Sequence, residues 1–380
     1  MKILKFFSLD AGNRIFGLDL LRFFAIFFVL LGHSAILIPT TYKTEVKSFV
    51  LDGVAIFFVL SGFLIGNILL KQIKKGETNF PDLFTFWKRR WMRTIPAYFV
   101  VLSFLLIYTF YLKPTRIPEE WWRYFLFVQN FAHSLPPFFQ ESWSLSVEEW
   151  FYLLIPTIFF ISLFIFKKNK RIVIVTLILS VLVSVFLYRW YLFSNLEILT
   201  NKAVQNDVLQ QVIPRLDGIM IGVLAAFIAS EFPKIWQKMN IWQLFILMVI
   251  LIFVVKLISP SNLSFYYCVL APLLKSICVF FMLPFLANFK LNKNNFIAKS
   301  ITFVSITSYS IYLVNRTIVI DIIIKYLIND NLKSKHITNE NWIFQYILFW
   351  TLSFSLAFLM YKLIEKPFLK LRDLNSKKLN

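Results

Sequence analysis

The stretch LDLLRFFAIFFVLLGHSAIL, residues 18–37, decides the fold because it is long and apolar enough to cross a membrane as one helix. Two ionisable residues interrupt it, Arg22 and His33. They are 11 positions apart, so at about 100° and about 1.5 Å per residue they share one helix face and lie roughly 16 Å apart. Ionisable side chains are costly inside a membrane, and this pair therefore indicates a functional face.

The rest of the chain repeats this pattern of long apolar runs. It has 380 residues, 58% of them hydrophobic, whereas soluble domains are typically about 45–50% apolar. The composition predicts an all-α integral membrane protein, a polytopic bundle of about ten transmembrane helices. We expect a single transmembrane domain over residues 1–380 with no appended soluble domain. The predicted helices lie near 16–38, 49–70, 95–112, 143–166, 172–193, 212–230, 241–258, 264–288, 300–326 and 342–364.

The distribution of Lys and Arg predicts the orientation of these helices. Basic residues collect in alternate connections, and such connections stay on the cytoplasmic side. This pattern predicts that both termini are cytoplasmic, with Arg22 near the cytoplasmic end of the first helix and His33 near its outer end. The aromatic segment 118–141 is expected to be an outer loop with an interfacial helix. The first of the basic connections contains Lys71, Lys74, Lys75, Lys88, Arg89, Arg90 and Arg93.

Charge and composition also exclude several classes of partner. The formal net charge of +20 is explained by cytoplasmic loops and by membrane lipids with anionic headgroups. The basic residues are dispersed between spans, so we predict no nucleic-acid partner. The three histidines, His33, His133 and His336, lack metal-ligand spacing, and we predict no metal. Cys268 and Cys278 share one predicted span and do not indicate a disulfide.

His33 is the strongest candidate catalytic residue. It lies well inside an apolar span, and a neutral imidazole can accept a proton from a substrate. The alternative is a histidine that only fills and hydrogen-bonds the core. A nearby carboxylate would orient the ring and favour the catalytic interpretation.

The basic residues near the cytoplasmic side have two interpretations each. Arg22 either extends to the membrane interface or works together with His33, whose helix face it shares. The segment FWKRRWMRTIPAYF, residues 86–99, places basic residues before the third span, which suits topology determination. Arg90 and Arg93 are also three positions apart, so on a helix they share a face and can clamp a phosphate group.

Two neighbouring carboxylates begin the fourth span, in ESWSLSVEEWFYLLIP at residues 141–156. Glu149 follows Ser146 by three positions, which is the spacing of a capping box. Its carboxylate can therefore have no role beyond accepting hydrogen bonds from backbone N–H groups at the start of the helix. Glu148 is rotated by about 100° around the helix from Glu149, so it does not have the capping position. We therefore expect Glu148 to be the partner of a buried histidine or arginine.

Further polar residues near the outer side predict either a charge network or a cavity for a hydroxylated substrate. Arg215 and Asp217 begin the sixth span, and we expect them to pair with Glu148 and Asp52. The segment SYSIYLVNR, residues 308–316, adds polar groups to the ninth span. The candidate substrate-binding residues are Asp52, Arg215, Asp217, Tyr312 and Asn315.

Seven stretches taken together resemble the membrane-bound acyltransferase-3 family, whose members are chiefly bacterial sugar O-acyltransferases. The resemblance covers nearly the whole chain, and it rests on the order and spacing of the pieces rather than on any single one. Arg22 and His33 match the family's basic residue and histidine, and Arg90 and Arg93 match its RxxR motif. The pieces are GLDLLRFFAIFFVLLGH (17–33), DGVAIFFVLSGFLIG (52–66), RRWMRTIPAY (89–98), SWSLSVEEWFYLL (142–154), RLDGIMIG (215–222), SYSIYL (308–313) and YKLIEKPFLKL (361–371).

The resemblance implies a multi-pass O-acyltransferase of the bacterial inner membrane. Its donor would be cytoplasmic acyl-CoA, most simply acetyl-CoA, bound through Arg22, Arg90 and Arg93, with no permanently bound cofactor. Its acceptor would be a hydroxyl of a cell-surface glycan or glycolipid on the outer side. Family members commonly have a histidine where this chain has Asn315, which leaves His33 as the main candidate base, with Glu148 expected to orient it.

Several alternatives stay open at the level of sequence. Transfer can be direct, or it can pass through an acyl-histidine. A transporter or flippase for a lipid-linked sugar would also use intramembrane charges, and a sensor without catalysis is a third class. The acceptor, the acyl group and the oligomeric state are not encoded in any recognisable pattern.

Overall fold

The computed structural model describes residues 14–166, 169–195, 204–257, 265–292, 295–330 and 341–377. Within these ranges all the regular structure is helical, and nine helices are long and apolar enough to cross a membrane. This confirms the predicted all-α polytopic membrane bundle. His336 lies outside the described ranges.

Thirteen α-helices make up the described part of the chain. Four of them adjoin π-helical segments, which lie at Tyr266–Leu270 before α10, at Asn315–Asp330 after α11 and at Tyr361–Glu365 between α12 and α13. The α-helices are α1 Phe16–Ser34, α2 Thr40–Phe49, α3 Gly53–Lys75, α4 Phe80–Leu112, α5 Ser142–Ile165, α6 Lys170–Ser194, α7 Leu216–Glu231, α8 Pro233–Lys238, α9 Trp242–Leu257, α10 Ala271–Asn288, α11 Phe296–Val314, α12 Trp342–Met360 and α13 Lys366–Lys377.

Capping residues mark the ends of several helices. The side chain of Asp52 accepts a hydrogen bond from the backbone N–H of Ala55 and so begins α3. Gly76 ends the same helix with φ of 79°, a left-handed conformation that glycine adopts without strain. Asn79 and Asp82 form a capping box at the start of α4. These local signals fix the register of the helices that carry the site.

Helix α4 is longer than predicted. The expected span was 95–112, but the helix begins at Phe80 and has 33 residues. The basic segment is therefore helical, so Arg90 and Arg93 do share a helix face. The segment 118–141 contains a short 3₁₀ turn at Trp121–Tyr124, and no longer helix occurs there, so the expected interfacial helix is wrong.

Helices α3 and α7 pack most extensively against each other, because glycines remove the side chains between them. A Cβ on Gly62 would stand 1.8 Å from the carbonyl oxygen of Ile219, and one on Gly222 would stand 2.1 Å from that of Val59. Small residues allow such close approach between membrane helices, where lipid supplies no hydrophobic driving force. This contact holds α3, and with it Ser61 and Asp52, in a fixed position.

Helix α1 lies at the seam between two parts of the core. It packs against α3, α10 and α11. Its first half, including Leu21, belongs to the apolar cluster around α3 and α7, and its second half, including Ile26, belongs to the cluster built from α4, α11 and α12. The helix that carries Arg22 and His33 is therefore inside the bundle, and its polar face is directed at the seam.

Candidate active site

Two cavities lie along the seam beside α1. The first, which we name the basic cavity, has a volume of about 90 Å³. The second, which we name the histidine cavity, has a volume of about 360 Å³. The polar residues of the basic cavity include Arg22, Ser61, Arg90, Arg93, Ser144 and Glu148. Those of the histidine cavity include His33, Asp52, Glu141, Arg215, Lys275 and Arg316.

The two cavities meet at Val54 and Tyr312, which line both. Arg22 faces the first cavity and His33 faces the second, as expected for two residues on one face of α1. Arg22 and His33 therefore line neighbouring cavities along α1, and these cavities share the side chains of Val54 and Tyr312 in their walls.

His33 is held by an amide and not by a carboxylate. Its Nδ1 atom lies 2.5 Å from Oδ1 of Asn315. The expectation that Glu148 orients the imidazole is wrong, because Glu148 lines the basic cavity and accepts hydrogen bonds from Ser61 and Tyr152, each at 2.9 Å. Glu148 lines the basic cavity alone, whereas Asn315, the residue directly after α11, contacts the imidazole.

Glu149 does not serve as a capping residue. Helix α5 begins at Ser142, four residues before the expected cap at Ser146. The Glu149 carboxylate instead accepts a hydrogen bond of 2.7 Å from the hydroxyl of Thr94. This buried bond ties α5 to α4 directly beside Arg93.

Arg22 is held inside the bundle, so it does not extend to an interface. Its guanidinium lies 3.7 Å from the carboxylate of Asp19 and donates to the hydroxyl of Ser305 at 3.4 Å. Arg14 also pairs with Asp19. One carboxylate between two guanidinium groups leaves local positive charge at the edge of the basic cavity.

Arg90 and Arg93 line the basic cavity together with Glu148. Arg90 lies over the ring of Tyr152 at 6.0 Å, and among the described residues neither arginine has a carboxylate within 4.0 Å. Both arginines also line a third cavity of about 310 Å³ together with Arg89 and Arg372. We name it the arginine cavity. It shares Arg90 and Arg93 with the basic cavity, and Asp373, which pairs with Arg372 at 2.8 Å, also lines it.

In the wall of the histidine cavity, one carboxylate lies between two cationic side chains. Asp52 lies 3.8 Å from Arg215 and 3.6 Å from Lys275. The guanidinium of Arg215 also lies over the rings of Phe58 and Trp143, at 5.6 and 5.7 Å. The expected pairing of Arg215 with Asp52 is confirmed. Lys275 was not predicted, although a lysine in the apolar run 264–288 is a visible signal.

Asp217 does not face either cavity. Its carboxylate forms a buried ion pair with Arg189 at 2.5 Å. Arg189 also donates to the backbone carbonyls of Pro214 and Val269. The expectation that Asp217 binds substrate is therefore replaced by a structural role. Arg189 is a charged residue in the predicted span 172–193, and this signal was also missed.

Glu141, just outside the fourth span, closes the rim of the histidine cavity. It accepts hydrogen bonds from the backbone N–H groups of Arg316 and Thr317, at 3.0 and 2.7 Å, and from the hydroxyl of Thr317. These bonds satisfy the first turn of the π-helical segment that follows Asn315. Burial raises the pKa of Glu141 to about 7, against an ordinary value of 4.5, although the bonds from Thr317 act in the opposite direction.

Metal ligands are not gathered in this site. In the portion of the chain that the structure describes, no group of three or more His, Cys, Asp or Glu side chains can hold a metal ion. Cys268 and Cys278 are both buried, and both are free thiols. The absence of a resident metal stays a prediction.

The fold and the site define a class of protein: a multi-pass helical membrane protein with polar cavities inside its bundle. The sequence model described as an acyltransferase domain matches residues 15–362. The chain belongs to the acyltransferase-3 family.

Curated relatives match parts of the chain. A peptidoglycan O-acetyltransferase, OatA of Listeria monocytogenes, is 35% identical over 149 residues, which are 36% of this chain and 24% of that protein. An O-acetyltransferase OatA of Staphylococcus aureus is 31% identical over 181 residues, 44% of this chain and 28% of that protein. These matches span about a quarter of each relative's length. No solved structure matches the chain at a significant level.

Proposed function

We propose that this protein is a membrane O-acyltransferase that moves an acyl group, most simply acetyl, from acyl-CoA to a hydroxyl of a glycan or glycolipid. The observation that carries the proposal is the meeting of the basic and histidine cavities at Tyr312. A donor rich in phosphate suits one side of this junction, and a base suits the other. The family and the names of the relatives agree with this activity.

The donor occupies the arginine and basic cavities. Acyl-CoA carries its phosphates at one end and its thioester at the other, joined by a thin arm. Arg89, Arg90, Arg93 and Arg372 supply charge-assisted hydrogen bonds to the phosphates. The arm extends past Arg22 to the junction, so the thioester carbonyl lies beside Tyr312.

The acceptor hydroxyl enters the histidine cavity. His33 removes its proton as the oxygen attacks the thioester carbonyl carbon, and the negative charge that develops on the carbonyl oxygen is stabilised by hydrogen-bond donors at the junction. The carbon–sulfur bond then breaks. The proton passes from the imidazolium to the leaving thiolate, so the products are an ester and free CoA, with no net change in protons.

The polarity of the path gives the proposed orientation. The arginine cavity faces the cytoplasm, where acyl-CoA is made, and both chain termini lie on that side. The histidine cavity faces the opposite side, where surface glycans are assembled. The protein is proposed to act in the bacterial cytoplasmic membrane on a surface glycan, and peptidoglycan, for which one relative is named, is the first acceptor to examine.

The test uses membranes from cells that produce the protein, supplied with radiolabelled acetyl-CoA. Wild type should place alkali-labile label in the glycan fraction, and His33→Ala should abolish this transfer. His133→Ala is the matched control, because His133 is exposed and lines none of the three cavities. Equal transfer by wild type and His33→Ala would refute the base assignment. Movement of an unmodified glycan without acylation would favour a transporter.

A further inference from the structure

We infer that Asn315 is a positioning residue that holds His33 as the Nδ1–H tautomer, which leaves Nε2 as the nitrogen that accepts the substrate proton. The effect of Asn315 on turnover rests on the proposed function. The tautomer itself is a property of the resting protein. It follows from three hydrogen bonds around one amide group.

The orientation of the Asn315 amide is fixed by two backbone carbonyls. Its Nδ2 atom donates to the carbonyl oxygens of Ile311 and Tyr312, at 3.0 and 2.8 Å. A carbonyl oxygen only accepts hydrogen bonds, so the amide nitrogen has to be the atom on that side. The opposite orientation would place two oxygens against the amide oxygen. Oδ1 is therefore the atom that faces the imidazole.

The amide oxygen in turn fixes the proton on the ring. Oδ1 lies 2.5 Å from Nδ1 of His33, and an amide oxygen has no hydrogen to donate. Nδ1 must therefore carry the hydrogen of this bond. In a neutral imidazole the other nitrogen, Nε2, then has a free lone pair.

The free nitrogen has access to the histidine cavity. His33 lines that cavity, and its hydrogen bond to Asn315 is the one that the structure shows for its side chain among the described residues. Nε2 is thus available to a hydroxyl group of an acceptor. The ring cannot rotate by half a turn to exchange its nitrogens without losing the bond to Asn315.

Asn315 is itself rigidly placed. It is fully buried and lies where the α-helical α11 changes to a π-helical segment, a feature that is frequent at functional sites. The next two backbone N–H groups, of Arg316 and Thr317, are bound by Glu141. The amide therefore holds the imidazole in a fixed orientation, the role that was predicted for a carboxylate.

The partner of His33 is neutral in a cavity that charged groups already line. Two acidic and three basic groups face the histidine cavity, and Asp321 lies 3.6 Å from one of the basic ones, Arg316, and 2.8 Å from Lys325. An amide orients the ring without adding a charge to this set. The charged groups that line the cavity are Asp52, Glu141, Arg215, Lys275 and Arg316.

The direct test is solid-state nuclear magnetic resonance of the full chain in lipid bilayers, with isotope-labelled imidazole nitrogens. The double variant His133→Gln with His336→Gln leaves His33 as the single histidine. At a pH where the ring is neutral, we expect the bonded hydrogen on Nδ1 and a bare Nε2. A hydrogen on Nε2 would overturn the inference, whether or not the protein transfers acyl groups.

The kinetic test uses Asn315→Leu, which keeps the size of the side chain and removes the amide. Loss of the correct tautomer and ring orientation should lower kcat by roughly 10²-fold or more, while KM for acetyl-CoA changes little. In the bilayer spectra the Asn315→Leu protein should show hydrogen on Nε2 or a mixture of tautomers. Asn288→Leu is the matched control, because Asn288 also donates to a helix carbonyl, of Pro284 at 2.9 Å, and lines none of the cavities.

Different results would refute the acyltransferase activity and the role of Asn315. If wild type shows the Nδ1–H tautomer but transfers no acyl group to any glycan supplied, the proposed function fails and the tautomer assignment stands. If wild type is active and folded Asn315→Leu retains its kcat, the positioning role is refuted while the acyltransferase proposal stands.

Discussion

The phenolic oxygen of Tyr312 lies 2.6 Å from Oγ of Ser144. The two residues come from α11 and α5, and both are buried. Ser144 lines the basic cavity and Tyr312 lines both cavities. A hydrogen-bonded pair therefore lies where the two cavities adjoin, and its hydroxyl hydrogens can be directed at a group bound in either cavity.

Replacement of Tyr312 by Phe should slow acyl transfer while leaving donor binding nearly unchanged. The substitution removes one hydrogen-bond donor at the place where the thioester carbonyl becomes an oxyanion, and loss of one such donor typically costs about 10²-fold in kcat. Steady-state kinetics with acetyl-CoA would measure the effect. Ser144→Ala should have a smaller effect, since Tyr312 remains.

Tyr346→Phe provides the control for this substitution. Tyr346 lies in α12, contacts Trp350, and lines none of the three cavities. Its kcat should equal that of wild type. A Tyr312→Phe protein with normal kcat would show that the transition state forms elsewhere on the path.

The sequence predicted the parts of the site that depend on one helix. The 3.6-residue period placed Arg22 and His33 on one face of α1, and it placed Arg90 and Arg93 on one face of α4, and the structure agrees with both. Contacts between residues of different helices do not follow this period, so they could not be predicted in the same way. Asn315 is 282 positions from His33, so no local pattern connects them, and Glu148 was assigned to the wrong cavity for the same reason.

The missed residues had a local signal of a different kind. Arg189 and Lys275 stand alone in apolar runs, at 172–193 and 264–288, and an isolated charge inside a span indicates a buried partner. The sequence could have flagged both. It could not have named Asp217 and Asp52 as their partners, because helix packing sets which charges meet.

Removal of Arg90 or Arg93 should weaken donor binding more than it slows saturated turnover. Each guanidinium is proposed to bind phosphate, and a hydrogen bond to a charged group contributes about 1.5–3 kcal/mol, so Arg90→Gln and Arg93→Gln should each raise KM for acetyl-CoA about 10-fold or more. The kcat at saturating donor should change much less. Titration of acetyl-CoA against initial rate would measure both.

Lys88→Gln removes one positive charge from the same helix without altering the cavities, since Lys88 is exposed and does not line them. Its KM should match wild type at physiological salt. If Arg90→Gln and Arg93→Gln instead lowered kcat with KM unchanged, the phosphate-binding role would be contradicted.

Breaking the buried pair of Arg189 and Asp217 should destabilise the protein strongly. Arg189→Met leaves the Asp217 carboxylate and two backbone carbonyls without their donor, and removal of one partner from a buried ion pair costs about 3–5 kcal/mol. Thermal unfolding in detergent should show a large loss in Tm. Adding Asp217→Leu to Arg189→Met should restore part of it, because the uncompensated charge is removed. An additive loss in the double variant would show that the two side chains are not coupled.

Glu141 should make stability depend on pH near neutrality. Its pKa is raised by burial to about 7 in the folded protein, against an ordinary value of 4.5, so between these values the folded state holds a proton that the unfolded chain has released. The contribution of Glu141 to stability is therefore complete below about pH 4.5 and is lost as the pH rises through about 7.

Glu141→Gln stays neutral throughout, so the Tm of the variant minus that of wild type should rise from about pH 5 to about pH 8. Glu119→Gln, at an exposed position before the 3₁₀ turn at Trp121–Tyr124, should show a flat difference over the same range. A flat difference for Glu141→Gln as well would mean that the carboxylate is ionised in the folded protein already at low pH, held by the N–H groups of Arg316 and Thr317.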